Sequence, residues 1–181
     1  MKYLVASDLH GSAVACEKIL EAFRREQADR LILLGDILYH GPRNPLPEGY
    51  DPKACCAMLN PCKETITAVR GNCDAAVDQM VLEFPILAEY LLLEVAGRTV
   101  FVTHGDVWGP DRLPALPQGS VLLSGHTHVP MNEERSGIRC MNPGSPSLPK
   151  DAAGRRGYLL LEDRGISWKT LEGEEYDAYT F

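Results

Sequence analysis

Seven residues of the kinds that bind metal ions stand at five points where an apolar run stops: Asp8 and His10, Asp36, Asn72, His104, and His126 with His128. They lie in the segments Ser7-Asp8-Leu9-His10, Gly35-Asp36, Gly71-Asn72, Thr103-His104 and Gly125-His126-Thr127-His128, which hold four of the chain's five histidines. Imidazole, carboxylate and amide oxygen suit Mn2+, Fe, Co2+, Ni2+ or Zn2+. Seven such groups exceed what one ion takes, whereas two ions about 3.5–4 Å apart and sharing a carboxylate would use them all. Asp36, alone after its glycine, is the natural bridge. Asp8 and His10 are two residues apart, as are His126 and His128. In extended chain each pair projects to one side about 6.6 Å apart, a spacing that straddles a metal pair.

Singly, the pieces have ordinary readings. Asp-x-His is commonly a turn with a capping aspartate, Gly-Asp is commonplace, and Gly-Asn is usual turn chemistry. Paired histidines at a strand end are seldom needed for packing, and the ordered conjunction of all five segments carries the argument. Open α/β sheets bind ligands beyond the carboxyl ends of their strands, so the groups converge if the strands are neighbours.

The apolar pattern supplies those strands. Residues 2–7 form a short run that stops at Asp8 and reads as a buried strand. Ser12 is the expected N-cap of a helix to about Gln27, with Val14, Ile19, Leu20 and Phe23 as its apolar stripe. Residues 30–34 give a second buried strand ending at Gly35-Asp36, completing a βαβ unit with a parallel pair. Residues 39–50 hold three prolines and two glycines and read as a long loop of the kind that often carries function. A helix from Asp51 or Pro52 to about Leu59 precedes a third strand over 65–69. Strands over 89–95 and 98–103 join across Ala96-Gly97, and short strands follow at 120–123, 131–132, 137–141, 158–161 and 166–171. The second half therefore reads as mainly antiparallel, and the whole as two packed mixed sheets with helices outside. Asn142-Pro143-Gly144-Ser145 is expected to turn near the site, with Asp74 orienting its ligands.

Composition limits the partners. The 181 residues carry 18 Lys+Arg against 25 Asp+Glu, a net charge of −7, which provides no basic footprint for extended nucleic-acid binding. No apolar stretch reaches the ~18 residues of a membrane span, so no membrane partner and a cytoplasmic location are expected. Six cysteines fall irregularly, without a Cys-x-x-Cys pair, and read as reduced small hydrophobes. One domain over 1–181 is expected, and an edge strand leaves room for pairing with a second copy as a homo-oligomer.

The order Asp-x-His, Gly-Asp, Gly-Asn, His, Gly-His-x-His resembles the signature of the calcineurin-like metallophosphoesterases over nearly the full chain. The segments GDILYHGPRNPLPEGY, VRGNCDAAVDQM and MNPGSPSLPK look like the small bacterial YfcE-type phosphodiesterases among them. The resemblance implies a four-layer α/β/β/α sandwich and a dinuclear site, with Mn2+ as the first expectation for both ions. By motif, one metal would take Asp8, His10, Asp36 and His128, and the other Asp36, Asn72, His104 and His126. A small phosphodiester is the expected substrate, attacked by a hydroxide that bridges the metals. Two divalent ions against two carboxylates leave two positive charges, which match that hydroxide and a monoanionic diester. Larger relatives have Gly-Asn-His-Asp/Glu, whose histidine is thought to protonate the leaving group; Cys73 stands there in this chain. Besides Asp36, Asn72 and His104, the expected catalytic set includes His40 and Arg43 of the Pro-rich loop, to clamp phosphate or supply the missing acid. Competing readings are a phosphomonoesterase or nucleotidase on the same site, a nuclease, and a non-catalytic metal-binding scaffold of the same fold.

Overall fold

A computed structural model describes all of residues 1–181. Three parallel strands, β1 (Tyr3–Ala6), β2 (Arg30–Leu33) and β3 (Ile66–Ala68), form half of a six-stranded sheet. Its other half is antiparallel: β9 (Gly157–Glu162), β10 (Gly165–Thr170) and β11 (Glu175–Thr180), in the order β11-β10-β9-β1-β2-β3. The second sheet contains β4 (Tyr90–Val95), β5 (Arg98–Thr103), β6 (Val121–Leu123), β7 (Met131–Arg135) and β8 (Ile138–Asn142), in the order β4-β5-β6-β8-β7.

Side chains alternate across each strand, which is why β1 and β2 are apolar throughout. Leu4, Ala6, Leu31 and Leu33 face α1 (Ala13–Arg25) and α2 (Pro52–Leu59), while Val5, Ile32 and Leu34 face the second sheet. There they meet Val100, Val102, Val121, Leu123 and Met141, with Trp168 also in this core. The two-sheet sandwich is as expected. Helices cover the first sheet, and on the outer face of the second, Phe101, Leu122 and Ile138 are packed by Trp108, Leu113 and Leu116 of the Pro-rich segment.

Three details differ from the sequence reading. The second half is mainly antiparallel as expected, but β5 pairs parallel with β6 and β6 with β8, which the short-strand pattern did not indicate. Parallel neighbours end at the same edge, which brings the segments after β5 and β6 together. β11 was not expected, because Glu175–Thr180 offers little apolar signal beyond its two tyrosines. Val14 is 39% exposed beside Gly49, and Ala15 and Cys16 take its place in the α1 stripe. Ser12 caps the helix as read, accepting from Ala15 N at 3.1 Å.

α1 is tied to the first sheet through Glu26. Its carboxylate accepts from Tyr158 Oη at 2.6 Å and Lys169 Nζ at 2.9 and 3.0 Å, while Arg25 donates to the same Tyr158 oxygen at 3.0 Å. Burial pushes the Glu26 carboxyl up, but these bonds and the Lys169 and Arg25 charges outweigh it and hold it below its ordinary range. Glu26→Gln is expected to cost about 2 kcal/mol at neutral pH, the scale of a hydrogen bond to a charged group. Because the folded-state pKa is lowered, that contribution is full above the unfolded value of about 4.3 and disappears as pH falls through the folded one. Urea unfolding of both proteins at pH 7 and pH 3 checks this; a gap unchanged at pH 3 would contradict it.

Candidate metal centre

The segments after β1, β2, β3, β5 and β6 meet at one edge of the sandwich. Backbone bonds lock them together: Asp8 N donates to Gly35 O at 3.1 Å, His10 N to Asp36 O at 2.8 Å and Gly125 N to His104 O at 2.7 Å. Asp8, His10, Asp36, His104 and His128 are buried, His126 is half-buried, and Asn72 is exposed.

The expectation that Asp8/His10 and His126/His128 sit on extended chain is incorrect. Asp8, His10, Asp36, His126 and His128 adopt φ of 57°, 49°, 53°, 66° and 60°. This left-handed conformation costs a non-glycine residue roughly 1–2 kcal/mol, and such strain concentrates at functional sites. Only Gln27, Ala96 and Ser136 share it elsewhere. The segments curl instead of running straight, which turns neighbouring side chains inward. Glycine is required where they touch: a Cβ at Gly71 would collide with the backbone N and carboxylate of Asp36.

The structure brings all seven residues together. Asp8 Oδ1 lies 3.6 Å from His10 Nε2 and 3.3 Å from His128 Nε2. Asp36 Oδ2 lies 3.6 Å from His10 Nε2 and 3.5 Å from His104 Nε2, between two groups of imidazoles. His104 Nε2 is 3.0 Å from Asn72 Oδ1 and 3.3 Å from His126 Nδ1. Three histidines point their other nitrogen at a backbone carbonyl: His10 at Tyr39, His104 at Leu34 and His128 at Leu148, at 2.8, 2.7 and 2.7 Å. An Nδ1–H donated to a carbonyl leaves the Nε2 lone pair facing the cluster, the tautomer that a metal requires.

That assignment tests the fit to cations. His10 Nε2 and His128 Nε2 face each other at 3.1 Å, and His104 Nε2 faces the Asn72 amide oxygen Oδ1 at 3.0 Å. Two lone pairs at such distances need a positive centre between them. Asp8 Oδ1, fully buried, has no hydrogen-bond partner. The donor set is therefore built for cations.

The same charges shift the protonation equilibria. Burial pushes Asp8 up, but the adjacent His10 and His128 imidazoles and the His104 charge outweigh it and hold its carboxyl far below the usual range. Burial pushes His10 down and the adjacent Asp8 carboxylate more than reverses this; for His104, the Asp8 and Asp36 charges do so. His126 is lowered by burial and by His104. Burial, with the Asp36, Asp74 and Asp8 charges, pushes the Cys73 thiol up to about 12.

Supporting groups hold the segments in place. Asp74 accepts from Asp36 N at 2.8 Å, Ile37 N at 2.9 Å and Gly71 N at 2.7 Å, the orienting role read from the sequence. Asn142 donates to Gly125 O at 2.6 Å, so the 142–145 turn lies at the site as expected. Ser145 and Ser147 donate to Asp8 O at 2.8 and 2.7 Å. Ser147 went unnoticed, as did the Tyr39, Leu34 and Leu148 carbonyls, because a backbone acceptor has no side-chain signature.

His40 and Arg43 make none of these contacts. The His40 ring lies between Tyr39 and Tyr50 at centroid distances of 4.9 and 5.2 Å, and its buried Nδ1 has no partner. Arg43 is exposed in the loop. Arg112, a weaker candidate, stacks on Trp108 at 4.7 Å.

The calcineurin-like phosphoesterase superfamily domain matches residues 1–164. The chain is 51% identical to phosphodiesterase YfcE of Escherichia coli K12 over 178 residues, covering 98% of this chain and 96% of the relative. The solved structure of E. coli YfcE, described as a phosphoesterase, superposes with a TM-score of 0.95 over 99% of both chains at 44% identity. Wild-type Vps29 from Entamoeba histolytica, solved with Zn2+, shares the fold alone, with a TM-score of 0.59 and 18% identity over 99% of both chains.

Proposed function

The chain belongs to the calcineurin-like phosphoesterase superfamily, a metal-dependent family, and on that premise we propose that it hydrolyses small phosphodiesters at two divalent cations. Asp8, His10, Asp36 and His128 would hold one ion, and Asp36, Asn72, His104 and His126 the other. The observation that carries this reading is the Asp36 carboxylate between two facing pairs of imidazole nitrogens. When bound, the ions would acidify a water and neutralise charge on the phosphoryl oxygens. The chain's own part is to keep three imidazoles in one tautomer, hold the Asp8 carboxylate ionised, and fix the strained loops through Asp74, Ser145 and Ser147.

Mn2+ is the proposed metal of this nitrogen and oxygen set, with Zn2+, Fe, Co2+ and Ni2+ compatible. His40 and Arg43 are proposed phosphate contacts from the adjoining loop. Residues 1–181 act as one unit in this reading, because one core joins both sheets. Six unpaired thiols support a cytoplasmic setting. No helix is long and apolar enough to cross a membrane. The exposed Tyr90 and Leu92 on edge strand β4 support pairing with a second copy.

The test is hydrolysis of bis-p-nitrophenyl phosphate and p-nitrophenyl phosphate by metal-stripped protein, with and without Mn2+. Diester cleavage is expected only with metal, faster than monoester cleavage, and at least about a hundredfold lower in His126→Ala. At a Mn2+ concentration of 100 Kd, binding adds about 2.7 kcal/mol of stability. For a chain of this size that raises the melting temperature by about 5–10 °C. Cleavage of neither ester with any divalent ion would overturn the proposal.

A further inference from the structure

A cavity of about 500 Å³ lies beside the metal centre, and the mechanism above does not use it. Resting on the phosphodiesterase reading, we infer that it binds a flat aromatic group on one ester arm of the substrate, a nucleobase or an aryl ring. Its position carries the first part of the argument. Cys73 lines the cavity, and its sulfur groups with ligand atoms of His10 and Asp36 that all lie within 4.8 Å of one another. Tyr39, on the cavity wall, gives its carbonyl to His10 Nδ1 at 2.8 Å. A group seated here is therefore next to the phosphorus that the centre would hold.

The walls carry the second part. The lining includes Tyr39 and Tyr50, both edge-on to His40 at interplanar angles of 71° and 80°. It also includes Val77 and Val81, 64% and 49% exposed, and Tyr39 is 42% exposed. Apolar surface left open next to a charged centre marks a binding face, and a lining of aromatic and aliphatic side chains suits a ring. The charged lining is Lys53 and Asp78, and the Asp78 carboxylate already accepts from Ala75 N at 2.8 Å. A second cavity of about 280 Å³ is lined by Asn72 together with Arg70, Glu89, Thr103, Asp106 and Trp108. A diester has two arms, and the adjacent residues Asn72 and Cys73 each line one of these two unlike cavities.

Phosphonates, which have no leaving group, separate binding from turnover. Phenylphosphonate is expected to inhibit the Mn2+-loaded protein competitively about 10- to 100-fold more tightly than methylphosphonate, from burial of the ring. Val81→Trp, or Val77→Trp should the first variant fail to fold, fills the cavity and should remove that advantage while methylphosphonate inhibition stays unchanged. Adenosine 5′-monophosphate against ribose 5-phosphate reads the same difference for a nucleobase, so the two pairs distinguish the ring sources. Equal binding of phenyl- and methylphosphonate, with no gain from the nucleobase, would overturn the inference while diester cleavage persists. So would a hexyl chain binding as tightly as phenyl. A changed oligomeric state in Val81→Trp with the phenyl preference intact would assign this face to self-association and also overturn it. Loss of all metal-dependent diester cleavage in the wild type would remove the phosphodiesterase reading itself, and the inference with it.

Discussion

Asp36→Asn is expected to lower kcat/KM for bis-p-nitrophenyl phosphate at least about a thousandfold, or about 4 kcal/mol of transition-state stabilisation. Asp36 is the carboxylate that touches both groups of histidines, with Oδ2 at 3.6 Å from His10 Nε2 and 3.5 Å from His104 Nε2. Its Oδ1 accepts from Cys73 N at 2.7 Å. An amide cannot satisfy both demands. With its NH2 toward Cys73 N, donor meets donor; with its NH2 toward the imidazoles, the shared anionic ligand is lost. Either way both proposed metal sites lose negative charge, whereas His126→Ala removes a neutral ligand from one. The expected order is therefore a larger loss in Asp36→Asn, with bound metal falling below two ions per chain. Folding does not confuse the result, because asparagine tolerates the left-handed backbone of position 36, where φ is 53°. Metal content by atomic absorption, measured beside the kinetics, gives the check. Retention of both ions and more than about a tenth of the activity would show that Asp36 is not the shared ligand.

The contrast between what the sequence disclosed and what it hid has a physical basis. The candidate ligands were legible because Asp8, Asp36, Asn72, His104, His126 and their neighbours stand where apolar strands end, and strand ends are visible as breaks in a hydrophobic run. The conformation of those ends was not legible. Asp8, His10, Asp36, His126 and His128 are left-handed, a conformation that costs any residue with a Cβ, and the segments are held by distant groups: the Ser145 and Ser147 hydroxyls on Asp8 O, and Asp74 on Asp36 N. Such bonds join residues over 30 positions apart, beyond any local pattern. Strand direction in the second sheet was hidden for a related reason. A hairpin spacing reveals β4 and β5, whereas the parallel pairing of β5, β6 and β8 is set by loops whose path no periodicity records. The apolar cavity was invisible because it is assembled from a loop, Tyr39 to Tyr50, the start of α2, Cys73 and a single helical turn, α3 (Ala76–Gln79), that meet only in three dimensions.

Proton supply to the leaving oxygen governs the other large effect. His10, His104 and His128 commit their Nδ1–H groups to the Tyr39, Leu34 and Leu148 carbonyls, and their Nε2 atoms face the cluster. The residue after Asn72 is Cys73, whose thiol is pushed up to about 12 by burial and neighbouring carboxylates. A good proton donor has a pKa near the working pH, and its presence is worth about 10²–10⁴ in rate. Without one, the leaving oxygen must depart as an anion. Exchanging p-nitrophenyl for unsubstituted phenyl, whose phenol has a tyrosine-like pKa of about 10, is then expected to lower kcat by about 10²–10⁴ at constant Mn2+. Alkyl diesters should fall further still. The ring is nearly the same size in both aryl esters, so the comparison reads proton supply and not fit to the apolar cavity. His40 provides the control. Its unpartnered Nδ1 makes it the loop residue best able to deliver a proton if the loop closes on substrate. A shallow dependence on the leaving group that becomes steep in His40→Gln would make His40 the acid. A steep dependence that His40→Gln leaves unchanged would establish that the chain works without one, and that its natural diester must carry an activated leaving group.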